Sequence, residues 1–239
     1  MVDGICGRKS RCGKGETMTR SIAIDGPAGA GKSTIAKEIA KKKGFIYVDT
    51  GAMYRAMGLY YLRHGIEPGD TEKIEAALDD INVSITYENG EQIVILNGEN
   101  VNSLIRTPEI GAMASGVSTN KAVREKMVSL QQEIAKTRSV VMDGRDIGTV
   151  VLPDAMVKIF LNASVDVRTQ RRYLELKAKG MDCDIDTLRE EIKDRDYRDT
   201  HRENSPLKKA DDAIEVDTTE LSVDAVIAKI LEIAADKGL

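Results

Sequence analysis

The 239-residue chain has few of the residues that build metal centres, disulfide frameworks or nucleic-acid surfaces. It contains no tryptophan and only two histidines, and its three cysteines, Cys6, Cys12 and Cys183, are widely spaced without a Cys-x-x-Cys pair. This set argues against a zinc site or a disulfide framework. Aromatic residues make up 4% of the chain and its net charge is −4, a composition that does not favour binding to RNA or DNA.

Long apolar runs are also missing. No stretch approaches the roughly 20 apolar residues that span a bilayer, and the N-terminus lacks the apolar core of a secretion signal. We therefore expect a cytoplasmic protein that does not bind membranes. Residues 1–19 are polar, basic and rich in glycine, so we expect a disordered leader, or a true start at Met18.

The length is sufficient for one full core with insertions but not for two large domains. Apolar, strand-like runs recur at five places, separated by stretches long enough for helices. This rhythm predicts an α/β fold of three layers, α/β/α, around a five-stranded parallel sheet with crossover helices. The predicted strands are 21–25, 45–48, 139–142, 156–161 and 213–216.

Two segments break this rhythm and are predicted to be insertions. Residues 81–87 alternate between apolar and polar, and turn signals at Asn89-Gly90 and Asn97-Gly98 flank a second β-prone run, which predicts a small antiparallel meander. Residues 167–206 are highly charged and rich in arginine, with Gly180 between two helical stretches, which indicates a solvated hairpin or a helical lid. We expect one domain over 20–239, with its core in 20–65, 120–166 and 207–239, an insertion at 66–119 and the lid at 167–206.

The pattern G-x-x-x-x-G-K-[ST] is the most informative motif. It follows the apolar residues 22–24 and precedes a helical pattern, which is the order that a phosphate-binding loop requires. Its glycines let N–H groups converge on phosphate oxygens, Lys32 supplies charge, and the Ser33 hydroxyl is a ligand for Mg²⁺. The alternative is a glycine-rich turn that matches by chance. The motif consists of Gly26, Pro27, Ala28, Gly29, Ala30, Gly31, Lys32 and Ser33.

Polar residues also follow the second predicted strand. Thr50 and Gly51 stand where this strand gives way to a helix, and Arg55 follows about one turn later. Exposed N–H groups and the helix dipole at such a point suit a monophosphate, which Arg55 would clamp. The alternative is that Thr50 only N-caps the helix while Arg55 lies on its surface.

The third predicted strand ends in a similar group. Asp143 follows the apolar residues 140–142, where a carboxylate orients Mg²⁺ or its waters. Arg145 and Asp146 come next, at the edge of a parallel sheet where ligands bind. The alternative for these two residues is a structural ion pair with each other.

Residues 49–55 and 143–151, taken with the phosphate loop, resemble the bacterial-type cytidylate kinases, which are P-loop nucleoside monophosphate kinases. The resemblance extends from about Arg20 over nearly the whole chain and includes the meander, so it implies that the insertion at 66–119 binds the monophosphate. It implies transfer of the γ-phosphoryl group of ATP to CMP or dCMP, giving ADP and CDP or dCDP, with Mg²⁺ as cofactor, in pyrimidine nucleotide salvage and metabolism.

The resemblance also implies a set of site residues. ATP would be bound by the phosphate loop with Thr34 and by arginines of the lid, namely Arg171 and Arg172, with Arg168 as an alternative. CMP would be bound by Thr50, Tyr54, Arg55, Ser115, Arg124, Arg145, Asp146, Arg195, Asp199 and Arg202, of which Ser115, Arg124 and Asp146 would read the nucleoside. The catalytic residues would be Lys32, Asp143, Arg145 and Arg195. For any single arginine in so charged a lid, a solvated helix face is the competing interpretation.

Several alternatives remain open at this point. A kinase for UMP, AMP or dTMP would share the phosphate loop. A GTP-dependent switch is less favoured, because Asn120-Lys121 is followed by Ala122-Val123 rather than by x-Asp. A nucleotide phosphate with a second pKa of about 6 is already mostly deprotonated at neutral pH. The expected kinase therefore needs no general base, and we expect it to act as a monomer.

Overall fold

The computed structural model describes residues 19–239, so almost all of the predicted leader, with Met18, lies outside the described residues. Within 19–239, five parallel strands form one sheet in the order β2-β6-β1-β7-β8. All five predicted strands are confirmed, with bounds that differ from the prediction by at most two residues. These strands are β1 (Ser21–Asp25), β2 (Ile46–Asp49), β6 (Val140–Gly144), β7 (Val157–Asn162) and β8 (Ile214–Asp217).

Helices cover both faces of this sheet. In the described part of the chain they are α1 (Lys32–Lys43), α2 (Thr50–Arg63), α3 (Thr71–Ala76), α4 (Pro108–Val117), α5 (Lys121–Thr137), α6 (Val165–Ala178), α7 (Ile185–His201) and α8 (Val223–Asp236). Alternate residues of β1 belong to different cores: Ala23 packs with α2 and α5, whereas Ile22 and Ile24 pack with α1 and α8. The predicted three-layer architecture is confirmed.

The turn from β1 into the phosphate loop requires glycine. Gly26 has a φ of 147°, and a Cβ built there would lie 2.0 Å from the carbonyl oxygen of Leu161 on β7. A larger residue would therefore push the loop away from the neighbouring strand. Helix α1 begins directly after this loop and buries Ile35 and Ile39 against the sheet.

The predicted meander is confirmed as an antiparallel sheet of β3 (Val83–Glu88), β4 (Glu91–Leu96) and β5 (Glu99–Asn100). Asn89 and Gly90 both have positive φ, which is what a two-residue hairpin turn between β3 and β4 requires. The predicted insertion (residues 66–119) includes this sheet together with α3 and α4, and its apolar side chains join the core beneath α2.

The predicted lid (residues 167–206) is a pair of helices. Helix α6 begins at Val165 and α7 ends at His201, with Gly180 at a φ of 71° in the turn between them. The division into core, insertion and lid remains our proposal. None of the helices in residues 19–239 combines the length and the apolar character needed to cross a membrane.

Candidate active site

A cleft of about 1050 Å³ lies at the carboxyl ends of the parallel strands, between the phosphate loop, the insertion and the lid. Such an edge is where open parallel sheets bind ligands. The structure brings most of the predicted site residues together here. Those that line the cleft are Ala28, Gly29, Ala30, Gly31, Lys32, Ser33, Thr34, Thr50, Tyr54, Arg55, Ser115, Arg124, Asp143, Arg145, Asp146, Arg171, Arg172, Arg195, Asp199 and Arg202.

The lysine of the phosphate loop is held by the loop itself. Lys32 is buried, and its Nζ donates hydrogen bonds of 2.7 Å to the carbonyl oxygens of Gly26 and Pro27, which lie outside the cleft lining. Burial lowers the pKa of Lys32 well below its usual value, and the positive charge of Arg145 lowers it further. A phosphate group in the cleft would act in the opposite direction and favour the charged lysine.

Asp143 is fixed from two sides. The hydroxyl of Ser33 donates to its Oδ2 at 2.9 Å, and the hydroxyl of Tyr47 donates to its Oδ1 at 2.8 Å. Burial raises the pKa of Asp143 to about 6. Sequence reasoning missed Tyr47, because nothing local distinguishes a tyrosine in a strand from one whose hydroxyl reaches the next strand.

The residues around Ser33 and Asp143 fit a magnesium ion. Both side chains offer hard oxygen ligands, and Mg²⁺ is usually held by one or two protein ligands while waters and nucleotide phosphates complete its shell. In residues 19–239 no group of three or more histidine, cysteine, aspartate or glutamate side chains forms a metal site.

The start of α2 differs from the alternative interpretation, in which Thr50 only N-caps the helix. Asp49, not Thr50, is the N-cap: its Oδ1 accepts a hydrogen bond from the amide of Ala52 at 2.8 Å. The hydroxyl of Thr50 instead donates to the carbonyl oxygen of Asp143 at 2.7 Å. Arg55 lines the cleft and makes no hydrogen bond or ion pair with any residue of 19–239, and burial lowers its pKa.

Arg106 is a further cleft residue that sequence reasoning missed. It lies in the insertion, directly before Thr107, which caps α4, and its Nη2 donates to Oδ2 of Asp49 at 2.8 Å. The sequence Thr107-Pro108 signals the start of a helix, but it does not reveal that the preceding arginine faces the end of β2.

The ion pairs beyond Asp143 correct the alternative interpretation of this segment. Arg145 does not pair with its neighbour: its Nε donates to Oδ2 of Asp199 on α7 at 2.8 Å. Asp146 pairs instead with Arg124, whose guanidinium also lies 5.6 Å from the ring centre of Tyr54. The segment after β6 therefore connects both to the lid and to α5.

Four buried polar atoms at the cleft have no hydrogen-bond partner among the described residues. They are the hydroxyl of Tyr54, Nε of Arg124, Nε of Arg195 and Nη2 of Arg202. Burial and the nearby Arg145 lower the pKa of Arg195 to about 10, so this side chain remains a cation at neutral pH. Buried polar groups are rarely left unsatisfied unless a ligand or water completes them. These atoms thus indicate where a polar, anionic ligand would bind.

The arginines of α6 have different surroundings. Arg171 donates to the hydroxyl and the carbonyl oxygen of Thr218, and Arg172 pairs with Glu175 at 2.8 Å, and both line the cleft. Arg168 is buried, is outside the cleft lining, and its guanidinium binds protein groups. The alternative in which Arg168 approaches ATP is therefore not supported by its position.

A family model described as cytidylate kinase matches residues 22–236. The chain belongs to the cytidylate kinase family. A relative described as cytidylate kinase from Lactobacillus johnsonii is 53% identical over 224 residues, which are 94% of this chain and 97% of the relative. A relative with the same description from Caldicellulosiruptor saccharolyticus is 53% identical over 89% of this chain and 94% of its own length. Another, from Bacillus cereus, is 50% identical over 90% of this chain and 96% of its own length. The resemblance seen in the motifs is confirmed.

Proposed function

We propose that this protein transfers the γ-phosphoryl group of ATP to CMP or dCMP, giving ADP and CDP or dCDP. Membership of the cytidylate kinase family supports the reaction. The observation that carries the proposal from the geometry is the convergence on one cleft of a phosphate loop and of buried donors that have no hydrogen-bond partner among the described residues. A donor nucleotide and an acceptor nucleotide both fit such a cleft, because each brings phosphate oxygens.

The donor side is the phosphate loop. Residues 26–34 would hold the phosphates of ATP through backbone N–H groups and the Lys32 ammonium, while Arg171 and Arg172 would approach the nucleotide from α6. Ser33 and Asp143 would hold Mg²⁺, which when bound neutralises charge on the phosphate oxygens. Lys32 and the lid arginine Arg195 would stabilise charge on the transferring group.

The acceptor side is the region between α2, α5 and the lid. Thr50, Arg55 and Arg145 would bind the phosphate of CMP, and Arg195, Asp199 and Arg202 would complete the site from the lid. Tyr54, Ser115, Arg124 and Asp146 would surround the nucleoside. The Arg124 guanidinium supplies donors suited to the acceptors of cytosine, and it is already oriented by Asp146 and by the carbonyl oxygen of Ser118.

The chemistry rests on positioning and charge rather than on a base. The acceptor phosphate has a second pKa of about 6, so its oxygen is already mostly deprotonated at neutral pH. The protein therefore has to align the two phosphates and exclude water from the closed cleft. Cytoplasmic location, a monomeric state and independence from nucleic acid and membranes remain predictions from composition.

The test is release of ADP from Mg²⁺-ATP with CMP, dCMP, UMP, AMP, GMP and dTMP supplied separately. We expect turnover with CMP and dCMP to dominate. Turnover led by another monophosphate would keep the phosphate-loop chemistry but contradict the roles of Ser115, Arg124 and Asp146. A Lys32→Ala variant that stays folded is expected to lose at least about 10²-fold in turnover, since a positioned charge on the transferring phosphate is removed.

A further inference from the structure

Arg168, near the start of α6, joins three separate parts of the chain. Its Nε donates to the carbonyl oxygen of Ala163, just after β7, at 2.9 Å. Its Nη1 donates to the carbonyl oxygen of Ala28 in the phosphate loop at 3.1 Å. Both Nη atoms donate to Asp196 on α7, at 3.0 and 2.6 Å. One guanidinium thus contacts the sheet, the phosphate loop and the second helix of the lid.

The pair of Arg168 and Asp196 is the type of ion pair that fixes geometry. It is bidentate, and the Arg168 side chain is only 4% exposed, so solvent competes little with its hydrogen bonds. Asp196 is 21% exposed and therefore reaches Arg168 from the edge of the lid. Arg168 lies outside the cleft lining, which separates it from Arg171 and Arg172.

The contact with Ala28 bears on how the loop presents its amides. The peptide bond between Ala28 and Gly29 is trans, as are all peptide bonds in 19–239, so its C=O and N–H point in opposite directions. Holding the carbonyl of Ala28 toward Arg168 therefore fixes the N–H of Gly29, a residue that lines the cleft, on the side away from Arg168. A Cβ on Gly29 would lie 3.1 Å from Cβ of Arg168, so the loop rests directly on α6.

The contact with Asp196 bears on the position of the lid. Asp196 directly follows Arg195, whose guanidinium lines the cleft with an unpaired Nε, and it precedes Asp199 by about one helical turn. The group that holds the Ala28 carbonyl therefore also holds the segment of α7 that presents Arg195. A displacement of α7 would remove the bidentate partner of Arg168 and loosen its hold on the loop.

We infer that Arg168 is a positioning residue that couples the seated position of the lid to the phosphate-binding shape of the loop. This inference rests on the proposed phosphoryl transfer. Its consequence is that the loop is fully ordered for ATP only when α7 is in place over the cleft. When the contact between Arg168 and Asp196 is lost, the lid seats less firmly over a loosened loop and water enters the cleft, so a larger share of the γ-phosphoryl groups passes to water, giving ADP and inorganic phosphate, instead of to the acceptor nucleotide.

The test compares Asp196→Asn with Arg189→Lys. The first variant removes the charge of the bidentate partner with little change in size. The second alters a partly buried arginine of α7 that pairs with Asp166 and Asp186 and contacts neither the loop nor the cleft. Three quantities are measured for each: hydrogen exchange of the amides of residues 28–31 by mass spectrometry, the ratio of inorganic phosphate to CDP formed, and the dissociation constant of ATP.

For Asp196→Asn we expect exchange at 28–31 to be about tenfold faster and the phosphate to CDP ratio to rise at least about threefold, because a charge-assisted bidentate contact is lost. Arg189→Lys is expected to match the unaltered protein in all three. A merely structural role would lower the melting temperature without changing the phosphate to CDP ratio. If Asp196→Asn does not fold, Asp196→Glu replaces it as the test. This variant keeps the charge but shifts its position, so we expect smaller changes of the same kind in loop exchange and in the phosphate to CDP ratio.

A folded Asp196 variant with unaltered loop exchange and an unaltered product ratio would overturn the coupling. Failure of the unaltered protein to phosphorylate CMP or dCMP would instead overturn the proposed function. In that case the exchange rates of residues 28–31, which need no acceptor, would still decide whether Arg168 links the lid to the loop.

Discussion

The insertion and the lid both border the cleft, but they are attached to the protein by different forces. The insertion buries Ile74, Val94, Ile105 and Met113 in the same hydrophobic core as β1 and β6. No residue of the lid belongs to either of the two hydrophobic cores in the described part of the chain. Its helices reach the core through polar contacts, such as those of Arg168 with Asp196 and Arg145 with Asp199.

This difference predicts that the insertion forms a rigid side of the cleft and the lid a mobile side. Apolar packing inside a core is lost only when the core opens, whereas polar contacts at a ligand site can be replaced by water or phosphate once the lid moves away. We therefore expect the insertion to unfold with the sheet and the lid to open locally. The acceptor nucleotide would enter between a rigid side that contains Thr50 and Arg106 and a mobile side that contains Arg195.

The largest expected contrast is in stability. Ile105→Ala, at a fully buried site of the insertion, should lower the free energy of unfolding by about 2–5 kcal/mol, because it leaves a cavity in the main core. Ile192→Ala, at a buried site on α7, should lower it by less than about 1 kcal/mol, because local opening of the lid need not break the core. Urea denaturation of both variants measures the difference. Equal losses would show that the lid belongs to the same cooperative unit.

The second prediction concerns Asp25, the last residue of β1 in the parallel sheet to which both the insertion and the lid are attached. Its carboxylate accepts hydrogen bonds from the amides of Ile147 and Gly148 at 2.8 and 2.7 Å, and burial raises its pKa from 3.8 to about 6. The folded state therefore binds this proton more tightly than the unfolded state does. The free energy of unfolding should fall as pH rises from about 4 to about 6, by about 3 kcal/mol from this group.

Asp25→Asn should remove that part of the slope while the contribution of Asp143, which is raised in the same way, remains. Urea denaturation of both proteins between pH 4 and pH 7 gives the difference. Since Asp25 lies in the parallel sheet and not in the lid, its titration should change the free energy of global unfolding and leave hydrogen exchange in the lid unaltered. Identical slopes for the two proteins would contradict this account of the buried carboxyl.

The third prediction tests whether the insertion holds the acceptor side in place. Gln92 on β4 accepts from the amide of Asp49 at 2.8 Å and donates to its carbonyl oxygen at 3.4 Å. Asp49 in turn caps α2 and binds Arg106. Gln92→Leu should raise the KM for CMP about tenfold, equivalent to about 1–2 kcal/mol for lost buried hydrogen bonds, with the KM for ATP almost unchanged.

A matched control for Gln92 is Gln132→Leu. Gln132 is a partly buried glutamine on α5 whose amide donates to the carbonyl oxygen of Val151, outside the cleft lining. It should leave both KM values unchanged. An equal rise of both KM values in Gln92→Leu would indicate general loosening rather than support of the acceptor site.

The contrast between insertion and lid also explains what could be predicted from the sequence. The strands and the phosphate loop could be predicted, because their signals are contiguous: an apolar run, a glycine-rich turn and a helix follow one another along the chain. The roles of Tyr47, Gln92 and Arg106 could not be predicted, because each depends on which strand or helix end from a distant part of the sequence lies opposite the side chain. For the arginines of α6 the sequence supplied the residue type, but only burial separates Arg168 from Arg171 and Arg172.

The smallest effect is expected for an exposed ion pair of the lid. Arg189 on α7 pairs with Asp166 on α6 at 3.1 Å, and the partner carboxylate is 79% exposed. Water and salt compete with such a pair, so Arg189→Ala should speed hydrogen exchange in α7 by less than about threefold. The same measurement on Asp196→Asn should give a larger change that persists in high salt, since the contact with Arg168 is buried. If high salt abolished both effects equally, the lid would be held by surface charge alone and its contrast with the insertion would be sharper than we infer.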